Sequence, residues 1–94
     1  MISLPPSPKF AAGQIVITTN ARRQLPEAEV RQALQRHLAG DWGDCGPEDA
    51  AANEAALLDG DRLLSVYHTA EKTCFWILSE ADRSVTTVLM PDDY

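Results

Sequence analysis

Apolar residues recur along the chain in two rhythms, and the change of rhythm marks its organisation. Residues 14–18, Gln-Ile-Val-Ile-Thr, form a short β-branched run that predicts a strand. Thr19 or Asn20 is placed to cap one helical turn ending near Leu25. From Pro26 the spacing lengthens. Val30, Ala33, Leu34, His37 and Leu38 fall at i, i+3, i+4, i+7 and i+8, which is one face of a helix. Proline suits a first helical position because its missing N–H would be unpaired there. Glu27 and Glu29 in the first turn favour the helix dipole, and Gly40 is a C-terminal stop. A second helix opens at Pro47, carries Glu48 and Asp49 in its first turn and a thin stripe of Ala51, Ala55 and Leu58, and ends at Gly60.

Beyond Gly60 the period drops to two. Residues 62–68, 73–79 and 84–90 are rich in Leu, Val, Ile, Thr and aromatics, and their joins, 69–72 and 80–83, are of hairpin length. The middle run is apolar on both sides: Phe75 and Ile77 point one way, Cys74, Trp76 and Leu78 the other. This predicts a central strand with one face under helices and the other partly covered or used in contact. The order β-α-α-β-β-β predicts an α+β fold, with two helices packed on one face of a three- to four-stranded, mainly antiparallel sheet. Strand 14–18 is expected to join an edge of that sheet. Residues 1–9, with prolines at 5, 6 and 8, are expected to form a flexible arm, and residues 10–94 a single domain.

The chain has 94 residues and a formal charge of −6. One domain of this length has no room for a dinucleotide-binding or methyltransferase fold. The charge is unevenly placed: residues 1–40 carry +3 and residues 41–94 carry −9. Asp41, Asp44, Glu48, Asp49, Glu54, Asp59 and Asp61 follow one another with no Lys or Arg before Arg62. Such a block disfavours direct binding of nucleic acid, which needs a basic patch. It favours a basic partner, or a protein surface built to hold nucleic acid; a solvated acidic face that keeps a small domain soluble accounts for it equally well. The two cysteines form no disulfide framework, and neither a leader nor a membrane-spanning run is recognisable, so a cytoplasmic location is expected.

Two stretches concentrate polar chemistry. In Gly40-Asp41-Trp42-Gly43-Asp44-Cys45-Gly46, the glycines either present Asp41, Trp42 and Asp44 to a partner or simply turn the chain while Trp42 packs on the core. In Glu80-Ala81-Asp82-Arg83-Ser84, a Glu, an Asp and an Arg offer an acid, a base and an anion clamp, or else a solvated hairpin tip. Neither stretch matches a cation loop, since an EF-hand started at Asp41 would have Gly43 third and Ala52 twelfth. His37, Cys45, His68 and Cys74 lack zinc-site spacing, and His37 on an apolar face reads as a core or capping histidine. Cys74 reads as a buried, inert thiol, and no nucleophile elbow or phosphate-binding loop occurs. No catalytic residue, metal or cofactor is expected.

The pieces Gly40-Asp41-Trp42-Gly43, Glu48-Asp49, Asn53, Gly60-x-Arg62-Leu63-Leu64-Ser65-x-Tyr67, Trp76-Ile77 and Glu80-Ala81-Asp82-Arg83-Ser84-x-Thr86-Thr87-x-Leu89-x-Pro91 resemble a set of short bacterial proteins carried by plasmids, integrated elements and phages. Some of those bear the label plasmid-related protein or type I restriction subunit M. The likeness spans about residues 30–94. It is weaker at the proline-rich start and at Cys45-Gly46, and Ser79 stands where the set has Thr. The methyltransferase label finds no support, because this chain lacks an Asn/Asp-Pro-Pro-Tyr motif. The resemblance implies a mobile-element accessory protein that inhibits a host nucleic-acid-handling defence complex, in the manner of anti-CRISPR or anti-restriction proteins. The partner-binding residues expected on this reading are Asp41, Trp42, Asp44, Glu48, Asp49, Glu80, Asp82 and Arg83. One alternative is a small enzyme or ligand-binding domain with its site between the 41–44 loop and the 80–83 tip. Another is an antitoxin-like or homodimeric structural subunit.

Overall fold

A computed structural model describes residues 7–94. Residues 1–6 of the expected N-terminal arm lie outside the described residues. The order is β1 (Gln14–Ile17), α1 (Thr19–Gln24), α2 (Glu27–Leu38), α3 (Pro47–Asp59), β2 (Leu63–His68), β3 (Cys74–Ser79) and β4 (Val85–Leu89), closed by a 3-10 turn over Pro91–Asp93. The four strands form one sheet in the order β1-β4-β3-β2. The last three make the antiparallel meander, and β1 takes the edge beside β4, parallel to it. The α+β class expected from the chain is the one observed.

The helices differ in detail from the periodicity. The turn after β1 is a full helix, α1, capped by Thr18 rather than by Thr19 or Asn20: the Thr18 hydroxyl accepts from the Ala21 N–H at 3.1 Å. Pro26 is the N-cap of α2, in extended backbone, instead of its first helical residue. Pro47 does occupy the first turn of α3.

Helices α1 and α2 cover one face of the sheet. Ala21, Leu25, Val30 and Ala33 pack there against Tyr67, Phe75, Ile77, Val88 and Met90. The register explains the shared face, since Ser65 pairs with Ile77, Tyr67 with Phe75, and Ile77 with Val88.

Helix α3 does not stack on that face. It runs along the outer edge of β2, where the Asn53 side-chain amide acts as a short piece of strand. Its Nδ2 donates to the Leu64 carbonyl at 2.8 Å, and its Oδ1 accepts from the Leu64 N–H at 3.1 Å. The expected stripe of Ala51, Ala55 and Leu58 therefore faces outward, and Leu58 is 89% exposed. The inward side is Ala50, Asn53, Ala56 and Leu57, with Ala56 fully packed near Leu63 and Trp42. The stripe misled because alanines occupy both sides of this helix, so a 3.6-residue pattern picks either one.

Candidate partner-binding surface

The 40–46 segment is built by the edge of β2. The Val66 N–H donates to the Trp42 carbonyl at 3.1 Å, and the Asp44 N–H donates to the Val66 carbonyl at 2.6 Å. Together with Asn53 this pairs the outward backbone groups of Leu64 and Val66, most of what this edge strand would otherwise leave open. The approach is so close that Gly43, at φ +74°, has no room for a Cβ: one would run into the Val66 carbonyl and the Tyr67 ring.

Trp42 is buried. Its ring stacks on Phe10 at 6.4 Å and meets the edge of His37 at 5.8 Å, while Nε1–H donates to Glu54 at 2.7 Å. The packing alternative for this tryptophan is the observed one. The Asp41 carboxylate takes both the Nε (2.8 Å) and the terminal nitrogen (3.2 Å) of Arg36, and accepts from the Gly43 N–H. The hydrogen bond from Arg36 holds the Asp41 carboxyl below the usual range. Arg36 in turn lies over the Tyr67 ring at 4.9 Å, and the Tyr67 hydroxyl donates to the Asp41 carbonyl at 2.6 Å. Asp44 meets His68 Nδ1 at 2.7 Å.

The 80–83 tip is equally engaged. Asp82 accepts from the Ser84 N–H and hydroxyl, an Asx-type turn that holds its carboxyl below the usual range. Glu80 lies 3.6 Å from Arg62. Arg83, in the left-handed region at φ +60°, donates to the carbonyls of Asp61 (2.6 Å), Glu80 (3.0 Å) and Ala56 (3.1 Å). The last turn of α3 has no basic residue of its own, and Arg83 supplies the positive charge its carbonyl end favours. Phe10 lies against both segments, with the Arg83 guanidinium 5.5 Å from its ring on one count and Trp42 stacked on the other. The two polar stretches thus share an aromatic residue, while each of their carboxylates bonds within its own neighbourhood. Phe10 lay at the expected start of the domain with no periodic partner, so the sequence carried no sign of this role.

Four acids of the block are placed differently. Glu48, Asp49, Asp59 and Asp61 form no salt bridge among the described residues. Glu48 and Asp59 share the outward line of α3 with Ala52 and Ala55, and 11 residues of helix separate them by about 16 Å. Leu58 borders the same face. Asp49 turns toward a shallow cavity of about 240 Å³ between α3 and β2, lined also by Cys45, Asn53, Arg62, Leu64 and Val66. Burial pushes the Cys45 thiol up, away from a reactive thiolate. Among the described residues no three His, Cys, Asp or Glu side chains gather as metal ligands would, and no helix is long and apolar enough to cross a membrane.

A second polar group lies under the helices. His37, on the buried face of α2, meets Ser65 through Nδ1 at 2.5 Å and Ser79 through Nε2 at 2.8 Å. Ser79 reaches Thr86 at 3.0 Å, and the Thr86 hydroxyl donates to the Ala12 carbonyl at 2.7 Å. One donor order satisfies every atom: Ser65 to Nδ1, Nε2–H to Ser79, Ser79 to Thr86, Thr86 to Ala12. That order needs a neutral ring. Desolvation, aided by the charge of Arg83, pushes the His37 pKa down to about 4. This is a core histidine, as its helix position predicted.

The chain matches no protein-family model, no curated protein and no solved structure. Its class rests on the fold alone: a small α+β domain with a mixed four-stranded sheet, helices on one face and an acidic helix along one edge.

Proposed function

We propose that this is a small, non-enzymatic binding protein that docks its acidic α3 face onto a basic protein surface. On the resemblance described above, that surface belongs to a host nucleic-acid-handling defence complex of the CRISPR or restriction kind, and the acids stand in for phosphate charge. The observation that carries the reading is the outward side of α3, where Glu48 and Asp59 have no counterion among the described residues and Leu58 is 89% exposed. An exposed leucine bordering an acidic line is a suitable anchor: the apolar group gives contact area, and the charges select a basic rim. Asp41, Asp44, Glu80 and Arg83 already hold internal partners, so the weight of the surface falls on Glu48, Asp49 and Asp59.

The test is copurification from the native host, followed by titration of the recovered partner. The triple change Glu48→Gln, Asp49→Asn, Asp59→Asn is expected to weaken binding at least tenfold and to flatten its salt dependence. Binding indifferent to salt between about 50 and 500 mM sinks the proposal, because exposed charge attraction is screened over that range.

A further inference from the structure

The two edges of the sheet are treated unlike one another. The β2 edge is covered at Leu64 and Val66 by the 42–44 segment and by Asn53. The β1 edge carries no Lys or Pro, and Ile15 and Val16 are 52% and 40% exposed. Alternate residues of β1 face β4: the Gln14 N–H donates to the Ser84 carbonyl and the Thr18 N–H to the Val88 carbonyl, which places Val16 in the same set. The N–H and C=O groups of Ile15 and Ile17 therefore point away from the sheet. Beside them lies an apolar groove of about 420 Å³, lined by Ile15, Ile17, Leu25, Val30, Leu34 and Val88, with Arg22 and Glu27 also in its wall.

We infer that β1 pairs antiparallel with β1 of a second copy about a twofold axis at Val16. Three features choose this occupant. First, the parity fits. Val16 opposite Val16 makes a non-hydrogen-bonded pair, flanked by two pairs in which Ile15 of one copy and Ile17 of the other exchange both backbone bonds. Second, the faces fit: all four isoleucines fall on the helix-covered side and close the mouths of both grooves. Third, the charges fit. The groove wall holds one cation and one anion, so the twofold can bring Arg22 of each copy toward Glu27 of the other. The acidic α3 helices lie at the far edges of the joined sheet, their β2 strands about 34 Å apart at roughly 4.8 Å per strand, well beyond the screening length. The inference stands independently of what α3 binds.

The experiment uses the full chain at about 150 mM salt. Sedimentation is expected to give twice the 10.3 kDa chain mass at micromolar to submillimolar concentration. Val16→Lys sets two ammonium groups face to face, and Ile15→Pro removes an outward donor without touching a β4 bond. Both are expected to give monomers with unchanged circular dichroism. Register is read by Val16→Cys in a Cys45→Ser, Cys74→Ala background: non-hydrogen-bonded antiparallel pairs bring two Cα atoms within disulfide reach. Mild oxidation is expected to cross-link Val16→Cys at least tenfold faster than Leu58→Cys, whose position is exposed on α3. A wild-type monomer throughout the range, a dimer that survives both Val16→Lys and Ile15→Pro, or equal cross-linking at the two cysteine positions each overturns the inference.

Discussion

The His37 ring and the Ser79 hydroxyl meet at 2.8 Å, with both residues wholly buried between α2 and the sheet. This contact ties the first helix layer to a central strand by a directional bond instead of by apolar packing alone. It also sets the protonation state of the histidine, because the Ser65 hydroxyl donates to Nδ1 and the Ser79 hydroxyl accepts from Nε2–H, which leaves one ring proton to place.

Acid is expected to weaken the fold in two stages. Below the unfolded pKa of about 6.5 the unfolded chain binds a proton at His37 that the folded chain refuses until about pH 4. Stability from this group is complete above about pH 6.5 and falls by about 3 kcal/mol as the pH drops to 4. The carboxyls held low by their hydrogen bonds, Asp41, Asp82 and Asp93, lose their contributions at lower pH still. Urea unfolding at intervals between pH 7.5 and 4 measures the first stage. His37→Gln is expected to be less stable at pH 7.5 and to lack the slope between 6.5 and 4.

Asn53 predicts an asymmetry between two similar side chains. Asn53→Ala leaves the Leu64 N–H without a partner and its C=O with only the weak Cys45 thiol donor at 3.4 Å, and is expected to cost about 2 kcal/mol. Asn53→Asp keeps the acceptor for the N–H but sets a carboxylate oxygen against the Leu64 carbonyl. It is expected to be the more damaging of the two above about pH 5, and to recover toward Asn53→Ala as the carboxyl protonates. Thermal midpoints at pH 4.5 and pH 7.5 separate the cases.

Arg83 is expected to matter for folding. Arg83→Met removes three bonds to carbonyls and the contact with Phe10, for an expected loss of about 2–3 kcal/mol. Arg83→Lys restores only a minor part, because one ammonium cannot span carbonyls arranged for a guanidinium fork. Chemical denaturation of the two variants checks both the loss and the poor rescue.

Gly43→Ala is expected to destabilise by more than the ordinary cost of a left-handed residue, about 1 kcal/mol, because its methyl collides with fixed backbone at Val66. Gly60→Ala, at φ +76° with open space around it, is expected to show the ordinary cost alone. Comparing the two unfolding free energies isolates the steric part.

Much of this architecture was legible before the fold. The three meander strands and the helix at 27–38 follow from period and length, and the core role of His37 follows from its place among Val30, Ala33 and Leu34. What the pattern could not fix was orientation and side-chain partnership. Ala51, Ala55 and Leu58 read as an inward stripe, but Asn53 turns α3 the other way, since a side-chain amide at an edge strand outweighs a few alanine contacts. The parallel pairing of β1 with β4 depends on a long-range register that no local spacing encodes. Of the polar residues singled out, Trp42 is packed inside, Arg83 binds carbonyls, and Glu48 and Asp49 remain on the surface. Local composition marks polarity, and only the fold tells which polar groups already have partners.

Closing β2 with a borrowed amide and a loop has a consequence for valency. A sheet open at both ends can add copies without limit, and its natural product is a fibre. Here the outward groups of Leu64 and Val66 at one end are already taken by residues of the same chain, so growth through the other stops at two. Asn53, which touches no second molecule, would thereby act as a chain terminator for assembly.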